Sequence, residues 1–185
     1  MSRPRLILLD RDGVLNEVRR GSYVFSPSQF VWIPGSLEAV VRLQEAGYQL
    51  AVVTNQQGVA KGLMTQADLD SIHSWMNGDL IRAGGHRLCV YACTHLEQDG
   101  CDCRKPKPGL LAQAMADVGA TSGEVVMVGD SLRDHGAARA AGVTFVLVRT
   151  GARADIEESL DLRGESITIA DNLLTWTLGL AGDTG

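Results

Sequence analysis

The sequence predicts an α/β fold in which helices cover both faces of a doubly wound, mostly parallel sheet. Two observations support this prediction. Short apolar runs alternate with segments of helical periodicity, as in repeated strand–helix–strand units with right-handed crossovers. The first run, residues 6–9, has no polar position, which is typical of a central strand buried on both faces. In such sheets, ligands bind beyond the carboxyl ends of the strands.

Each predicted element has a local signal of its own. Pro34 precedes a segment with apolar residues at helical spacing. Thr65, with Asp68 three residues later, resembles a capping box, and Asp171 is expected to cap the last helix. The predicted helices span residues 36–46, 65–82, 110–118 and 133–141 and a short segment after 171. The predicted strands span residues 6–9, 50–53, 88–92, 125–128, 144–148 and 166–169.

Composition and charge exclude several classes of protein. The chain has 185 residues, of which 45% are hydrophobic and 21% charged, which suits one globular domain over 1–185. A net charge of −5 argues against a nucleic-acid-binding protein, which needs basic patches. The apolar run before Asp10 is too short for a signal peptide or a membrane span. We therefore expect a cytoplasmic protein with no nucleic-acid or membrane partner.

The first predicted strand ends in two carboxylates, Asp10 and Asp12. Because side chains alternate along an extended chain, we expect both to point to one side and Arg11 to point away. Gly13 would let the backbone turn sharply behind them. Two ionised carboxylates this close need a nearby cation, or one of them takes up a proton. The alternative is that Asp10 only ends a strand and that Asp12 and Gly13 only form a turn.

Other predicted strands end in polar residues at the same edge of the sheet. Thr54 and Asn55 follow the second strand, and Asp130 follows the fourth. If these strands are neighbours of the first, their side chains form one oxygen-rich site with Asp10 and Asp12. Such a site suits Mg²⁺, which prefers carboxylate and water ligands. Magnesium in turn indicates a phosphate-containing substrate.

Four ordered segments of the sequence resemble the motifs of a known superfamily. They are Asp-Arg-Asp-Gly-Val-Leu-Asn at 10–16, Thr-Asn-Gln at 54–56, Arg-Lys-Pro-Lys-Pro-Gly at 104–109 and Gly-Asp-Ser-Leu-Arg-Asp at 129–134. Together they resemble the motifs of haloacid-dehalogenase-superfamily phosphatases, over nearly the whole chain. The resemblance implies a Rossmann-like sheet of the haloacid dehalogenase type and a phosphoric monoester hydrolase.

The resemblance also implies a catalytic role for several residues. Asp10 would be the nucleophile that becomes a phospho-aspartate. Asp12 would protonate the leaving oxygen and later deprotonate the hydrolytic water. The Asp10 carboxylate, the Asp12 backbone carbonyl and Asp130 would hold Mg²⁺. Thr54 and Lys105 would bind the phosphoryl group and stabilise the transition state.

Further residues are implied around this centre. Asp134 would support Lys105 or the metal shell, or it is only a carboxylate at a helix N-terminus. Arg104 would bind the second, non-reacting phosphate of a bisphosphate, or it is a solvated surface arginine. The residues implied to bind substrate are Arg11, Glu17, Tyr23, Asn55, Gln56, Arg104 and Ser131.

A second constellation lies in a loop over residues 93–103. Its members are Cys93, His95, Cys101 and Cys103. Three thiols and one imidazole match the ligand set of a closed, structural zinc site, and free cysteines are the alternative. Because Cys103 directly precedes Arg104 and Lys105, zinc would fix the loop that brings these two cations to the phosphate. Cys89, within an apolar strand, is expected to be a buried small hydrophobe.

Within the superfamily, these motifs with the cysteine-rich loop most resemble sugar-bisphosphate phosphatases of bacterial surface-polysaccharide synthesis. Histidinol-phosphate phosphatases are the alternative within the same chemistry. A zinc-stabilised binding module on an inactive scaffold is an alternative of another class, against which the intact acidic residues and lysine argue. Neither segment between the first three motifs is long enough for a large cap domain, so only loops would cover the site. We expect a monomer whose partner is a small sugar bisphosphate.

Overall fold

A six-stranded sheet is the framework of the molecule. The computed structural model describes residues 4–18, 23–151 and 167–182. The strands are β1 (Leu6–Leu9), β2 (Gln49–Asn55), β3 (Cys89–Cys93), β4 (Val125–Gly129), β5 (Thr144–Val148) and β6 (Thr168–Ala170). Their order is β3-β2-β1-β4-β5-β6, and all five pairings are parallel. The predicted parallel sheet is confirmed.

β1 lies at the centre of the sheet because it is apolar at every position. It pairs with β2 on one side and with β4 on the other, so that Leu6 lies opposite both Gln49 and Val125. All four residues of β1 are at most 1% exposed. Full burial of one such side chain contributes about 1.5–3 kcal/mol to stability. The strand that carries the predicted carboxylates is therefore a rigid part of the molecule.

Five helices in the described residues form one layer on each face of the sheet. They are α1 (Ser36–Glu45), α2 (Gln66–Arg82), α3 (Gly109–Val118), α4 (Leu132–Ala141) and α5 (Leu173–Gly182). α1, α2 and α5 pack on the face that holds Ile7 and Leu9. α3 and α4 pack on the face that holds Leu6 and Leu8. The predicted doubly wound α/β class is confirmed.

The strand order creates a crevice at the carboxyl end of β1. The chain passes from β1 outward through β2 and β3, then returns to the other side of β1 to form β4, β5 and β6. The connections after β1 and β4 therefore lead away in opposite directions, which leaves a crevice between these two strands. Asp10 directly follows β1 and Asp130 directly follows β4, so the topology brings both to this crevice.

One predicted helix cap is confirmed and another is wrong. Thr65 Oγ1 accepts a hydrogen bond from the Asp68 N–H at 3.1 Å, and Asp68 Oδ2 accepts one from the Thr65 N–H at 2.8 Å. This is the predicted capping box at the start of α2. At α5, however, the Thr175 N–H donates to Asn172 Oδ1 at 2.8 Å. The cap is therefore Asn172 and not Asp171, because the chain enters the helix one residue later than expected.

The prediction that Cys89 is buried is wrong. Cys89 is exposed, and burial increases along β3 until Cys93 is fully buried. In the described residues β3 is an edge strand that pairs only with β2. Edge strands are covered less completely than central ones. An apolar run therefore does not ensure burial at the first residue of such a strand.

The connections that precede β2 and β3 contain no cap domain in their described residues. Between β1 and β2 these residues form a short 3₁₀ turn, Pro27–Gln29, and α1, and between β2 and β3 they form α2.

β6 begins at Thr168, and residue 166, predicted to begin that strand, lies outside the described residues. None of the described helices is long and apolar enough to cross a membrane. One domain over 1–185 stays a prediction.

Candidate active site

The crevice holds a cluster of three carboxylates. Oxygens of Asp10, Asp130 and Asp134 lie within 4.8 Å of one another. Residues from all four motifs line the cavity that opens here. The lining residues are Asp10, Arg11, Asp12, Val18, Tyr23, Val24, Thr54, Asn55, Gln57, Arg104, Lys105, Asp130, Ser131, Arg133 and Asp134.

Two glycines leave room for the Asp130 carboxylate. A Cβ atom on Gly13 or on Gly151 would overlap Asp130 Oδ2. Gly13 also has a φ of 90°, a conformation that residues with a side chain rarely adopt. The glycine after Asp12 is thus required both by the backbone turn and by the close approach of the Asp130 side chain.

Lys105 is the buried cation of the cluster, and its side chain is 2% exposed. Its Nζ donates to the Val53 carbonyl at 2.8 Å and forms ion pairs with Asp10 Oδ1 at 2.9 Å and Asp134 Oδ1 at 2.6 Å. Three oxygens thus lie within 3 Å of the ammonium group, and two of them belong to carboxylates. The lysine therefore holds the Asp10 carboxylate in one orientation.

The charges of the cluster shift several pKa values. Burial and the nearby Asp134 charge raise the pKa of Asp10 to about 7 and that of Asp130 to about 8. Burial opposes ionisation of Asp134, but Lys105 outweighs it and lowers the pKa of Asp134. Burial likewise opposes the charge on Lys105, but Asp10 and Asp134 raise its pKa. A divalent cation between Asp10 and Asp130 would remove this repulsion, so the donor set fits Mg²⁺.

Asp134 takes part in both of the roles considered for it. Its Oδ1 pairs with Lys105, and its Oδ2 accepts hydrogen bonds from the Ser131 hydroxyl at 2.6 Å and the Ser131 N–H at 3.1 Å. The Asp130 N–H also points to this oxygen, at 3.3 Å. Ser131, implied to bind substrate, is the N-cap of α4 and also lines the cavity. We interpret Asp134 as a positioning carboxylate, because both of its oxygens are engaged by protein groups.

Three side chains hold the Asp12 carboxylate. Its Oδ1 accepts from Arg11 Nη2 at 3.0 Å and Asn16 Nδ2 at 2.9 Å, and its Oδ2 accepts from Arg11 Nη2 at 3.0 Å and Gln56 Nε2 at 2.7 Å. Burial would raise the pKa of Asp12, but the Arg11 charge and these hydrogen bonds outweigh it and lower that pKa. Without a bound phosphate, Asp12 is therefore an ionised carboxylate at neutral pH.

The expectation that Arg11 points away from the carboxylates is wrong. Its side chain is 1% exposed, and the guanidinium folds back onto Asp12. The alternation used for that prediction holds only in an extended strand, and β1 ends at Leu9. Arg11, implied to bind substrate, lines the cavity but is bound mainly to the protein itself.

Residues at the end of β2 and directly after it hold the candidate catalytic groups in place. Gln56 is buried, and its Nε2 donates to Thr54 Oγ1 at 2.8 Å as well as to Asp12. Because Thr54 Oγ1 accepts this bond, its hydroxyl proton is available to a phosphate oxygen. The Asn55 side chain accepts from the Lys105 N–H at 3.1 Å and donates to the Lys105 carbonyl at 2.9 Å. Asn55 thus fixes the loop that carries Lys105.

A second group of polar side chains is linked to Arg104, and Tyr23, Gln57 and Arg104 of this group line the cavity. Arg104 is 8% exposed, so it is not a solvated surface arginine. Its Nη2 donates to Gln57 Oε1 at 3.3 Å, and Gln57 Nε2 donates to the Tyr23 hydroxyl at 3.0 Å. Lys61 Nζ also donates to the Tyr23 hydroxyl, at 3.0 Å. Gln57 and Tyr23 therefore link the cations of Arg104 and Lys61.

Some residues of this region were missed or lie elsewhere. Sequence reasoning gave no role to Gln57 or Arg133, although both line the cavity. The signal that could have pointed to them is their position, since Gln57 directly follows the motif at 54–56 and Arg133 lies within the motif at 129–134. Glu17, implied to bind substrate, is exposed, and it is Val18 beside it that lines the cavity. Residues 19–22 of the same predicted loop lie outside the described residues.

The four predicted zinc ligands come together in one cluster. The contacts are Cys93 Sγ to Cys101 Sγ at 3.7 Å, Cys101 Sγ to Cys103 Sγ at 3.4 Å, Cys93 Sγ to His95 Nδ1 at 3.6 Å and His95 Nδ1 to Cys103 Sγ at 3.2 Å. With a Zn–S bond of about 2.3 Å, tetrahedral geometry requires about 3.8 Å between sulfurs and about 3.5 Å between sulfur and nitrogen. Burial and the neighbouring thiols raise the pKa of Cys103 to about 12, which a bound cation would reverse. The donor set therefore fits zinc.

Comparison with known proteins identifies the family of the chain. A family model described as HAD-hydrolase-like matches residues 102–175. The D-glycero-beta-D-manno-heptose-1,7-bisphosphate 7-phosphatase of Bordetella bronchiseptica is 38% identical over 176 residues, which cover 92% of this chain and 98% of that protein. The chain belongs to this 7-phosphatase family. The enzyme of the same name from Pseudomonas aeruginosa is 42% identical over 146 residues, 79% of this chain and 82% of that protein.

Solved structures of the 7-phosphatase family agree with this assignment. The crystal structure of D,D-heptose 1,7-bisphosphate phosphatase from B. bronchiseptica, complexed with magnesium and phosphate, has a TM-score of 0.89 and 37% identity. The match covers 97% of this chain and 99% of that one. The corresponding Burkholderia thailandensis structure has a TM-score of 0.70 and 31% identity, over 96% and 98% of the two chains. The resemblance to haloacid-dehalogenase-superfamily phosphatases is confirmed.

Proposed function

We propose that the protein is a magnesium-dependent phosphatase that removes the 7-phosphate of D-glycero-D-manno-heptose 1,7-bisphosphate. The observation that supports this most strongly is the Lys105–Asp10 ion pair beside Asp130, in a member of the 7-phosphatase family. The product would serve ADP- or GDP-heptose precursor synthesis for lipopolysaccharide. The reaction would take place in the cytoplasm, where the thiols of the cysteine cluster stay reduced.

The first step transfers the phosphoryl group to Asp10. An Asp10 carboxylate oxygen attacks phosphorus, the bond from phosphorus to the sugar oxygen breaks, and Asp12 gives a proton to that oxygen. The dianionic phosphate next to Asp12 raises its proton affinity, which offsets the lowering by Arg11. The products are phospho-Asp10 and a heptose monophosphate.

The second step releases phosphate and restores the enzyme. A water molecule attacks phosphorus, Asp12 takes its proton, and the bond to the Asp10 oxygen breaks. The low pKa of Asp12 keeps it ionised and ready for this role. In both steps Thr54 donates its hydroxyl proton to a phosphoryl oxygen, and Lys105 stabilises the charge in the transition state.

The carboxylates of Asp10 and Asp130 and the backbone carbonyl of Asp12 would hold Mg²⁺. When bound, the cation neutralises phosphate charge that would otherwise repel an anionic nucleophile. Asp10 and Asp130 have raised pKa values and must lose protons before they can bind a cation.

Magnesium affinity should therefore increase with pH. Below the raised pKa values protons compete with the cation, so affinity should rise between about pH 6 and about pH 8.5. Isothermal titration calorimetry in two buffers of different ionisation enthalpy would detect the released protons. Asp130→Asn removes one of these titrating groups and should flatten the dependence. A magnesium affinity that does not change over this pH range would contradict the assignment of Asp10 and Asp130 as ligands of the cation.

The cysteine cluster would hold a structural zinc ion close to the phosphate site. Four protein ligands leave zinc no open position for water. The Cys93 carbonyl accepts the Gln56 N–H at 2.6 Å, and Cys103 directly precedes Arg104. The cluster is thus linked both to the support of Asp12 and to the loop of Lys105.

Removing zinc should lower kcat/KM at least about tenfold by disordering this loop. Cys101→Ser should have the same effect, whereas the matched change Cys89→Ser, at an exposed thiol outside the cluster, should have none. Metal analysis together with the phosphate-release assay measures both. Full activity of verified zinc-free protein would refute this role.

Arg104 is proposed to bind the phosphate that does not react. Arg104→Ala should raise KM for a bisphosphate about 10- to 100-fold, because a charge-assisted hydrogen bond contributes about 1.5–3 kcal/mol. KM for a monophosphate should change much less. Arg42→Ala, at an exposed arginine of α1, serves as control. Equal effects on both substrates would exclude Arg104 from this role.

Substrate identity is tested by comparing kcat/KM for both anomers of heptose 1,7-bisphosphate, fructose 1,6-bisphosphate and histidinol phosphate, with and without Mg²⁺. We expect one heptose bisphosphate anomer to exceed the other substrates by orders of magnitude. Preference for histidinol phosphate would overturn the proposed substrate. Absence of phosphate release from every substrate would favour a binding module. Size-exclusion chromatography would test the predicted monomer.

A further inference from the structure

A histidine with no role in the proposed mechanism contacts the site from α2. His73 is partly buried, and its Nε2 lies 3.2 Å from Arg11 Nη1. Arg11 in turn binds the proton-transfer carboxylate Asp12. His73, Arg11 and Asp12 therefore form a continuous chain from a helix of the scaffold to a reacting group.

The chemistry of the pair fixes the state of the imidazole. A guanidinium group can only donate hydrogen bonds, so His73 Nε2 must accept, and the ring proton must lie on Nδ1. A charged imidazole would place two donors and two positive charges against each other. Burial and the Arg11 charge lower the pKa of His73 to about 4, in agreement with a neutral ring.

Among the residues that the structure describes, two side chains, those of His73 and Asp12, set the orientation of the Arg11 guanidinium. Arg11 Nη1 contacts His73, Nη2 lies 3.0 Å from both oxygens of Asp12, and Nε has no hydrogen-bond partner among the described residues. Because the guanidinium is planar and rigid, the bond at Nη1 fixes where Nη2 points. Without an acceptor at position 73, the plane could rotate about its remaining contact.

We propose that His73 is a positioning residue for proton transfer: its Nε2 holds Arg11 so that Nη2 fixes the Asp12 carboxylate toward the leaving oxygen. This rests on the proposed function, because it assigns Asp12 the role of acid and base. Proton transfer by a well-placed group contributes roughly 10²- to 10⁴-fold to rate, and loss of its alignment removes part of that. The effect should appear in kcat and not in KM.

Two variants of similar shape separate the hydrogen bond from packing. H73Q keeps an acceptor at nearly the position of Nε2, whereas H73M fills the same space with a thioether, which is only a weak acceptor. We expect H73M to lower kcat about tenfold with little change in KM, and H73Q to lose much less. H86M, at an exposed histidine, should leave activity unchanged.

The rate of Asp10 phosphorylation in a rapid-mixing burst gives a readout that a packing role would not affect. An alkyl phosphate needs a proton on its leaving oxygen, whereas a nitrophenyl phosphate does not. H73M should therefore slow the burst with a sugar phosphate more than with the nitrophenyl ester. Equal slowing of both esters, equal losses in H73M and H73Q, or an unchanged H73M would each overturn the proposal.

The unaltered protein offers an independent test. The ¹⁵N shifts of the His73 ring at neutral pH should show a neutral ring protonated at Nδ1, and protonation at Nε2 would overturn the proposal even if H73M fails to fold. The activity of the wild type in the same assays distinguishes failure of this inference from failure of the proposed function. If the wild type releases phosphate normally and His73 variants behave like it, only this inference fails. If the wild type hydrolyses no bisphosphate, the proposed function fails.

Discussion

Replacing Lys105 with methionine is expected to abolish turnover and to lower the free energy of unfolding by about 3–5 kcal/mol. The ammonium is buried and bonds to Asp10, Asp134 and the Val53 carbonyl. Without it, two buried carboxylates lose their counter-ion and the phosphoryl group loses its fixed positive charge. Urea denaturation and a phosphate-release assay measure the two effects.

Lys107→Met is the matched control, two residues along the same loop. Lys107 is half-exposed, and within the described part of the chain its Nζ bonds to the Gly100 carbonyl and pairs with Asp102. Exposed ion pairs contribute about 0–1 kcal/mol, so stability and turnover should change little. If the two variants were equally active, Lys105 would have no part in the reaction.

Replacing Asp10 with asparagine is expected to reduce kcat by at least about 10⁴-fold, because the amide oxygen cannot act as the nucleophile. The fold should persist, since asparagine still offers an oxygen to Lys105 and Asp134 still neutralises the ammonium. Asp171→Asn, at an exposed carboxylate, applies the same change outside the site and should leave turnover unaffected. Steady-state assays at high enzyme concentration set the limit on residual activity.

The sheet could be predicted from the sequence because its strands are unusually clear. β1 and β4 are continuous apolar runs followed at once by polar residues, so both their position and their ends are visible. Because a helix lies between most successive strands, the sequence then predicts that these strands run parallel. Predictions failed where the position of a residue in the fold mattered more than the local sequence pattern. Cys89 is exposed because its strand lies at an edge, and the α5 cap is Asn172 because of where the chain turns.

Within the site, sequence spacing identified residues whose type is required by the chemistry. The strand-end carboxylates Asp10 and Asp130 and the cysteine–histidine cluster belong to this group, and the structure brings each set together. The residues that hold these groups could not be found in this way. Arg11 folds back only because β1 has ended, and His73 reaches it from a helix about 60 residues later in the chain. Such supporting contacts depend on tertiary packing and leave no local pattern.

In the proposed reaction, the Asp10 carboxylate accepts the phosphoryl group. The most direct test is to quench the enzyme in acid during turnover of heptose 1,7-bisphosphate and to map phosphate by mass spectrometry of the peptides. We expect one phosphoryl group on Asp10, which is absent from the Asp10→Asn variant and is lost on treatment with hydroxylamine. Phosphate release at the normal rate with an unmodified Asp10 peptide throughout would contradict it.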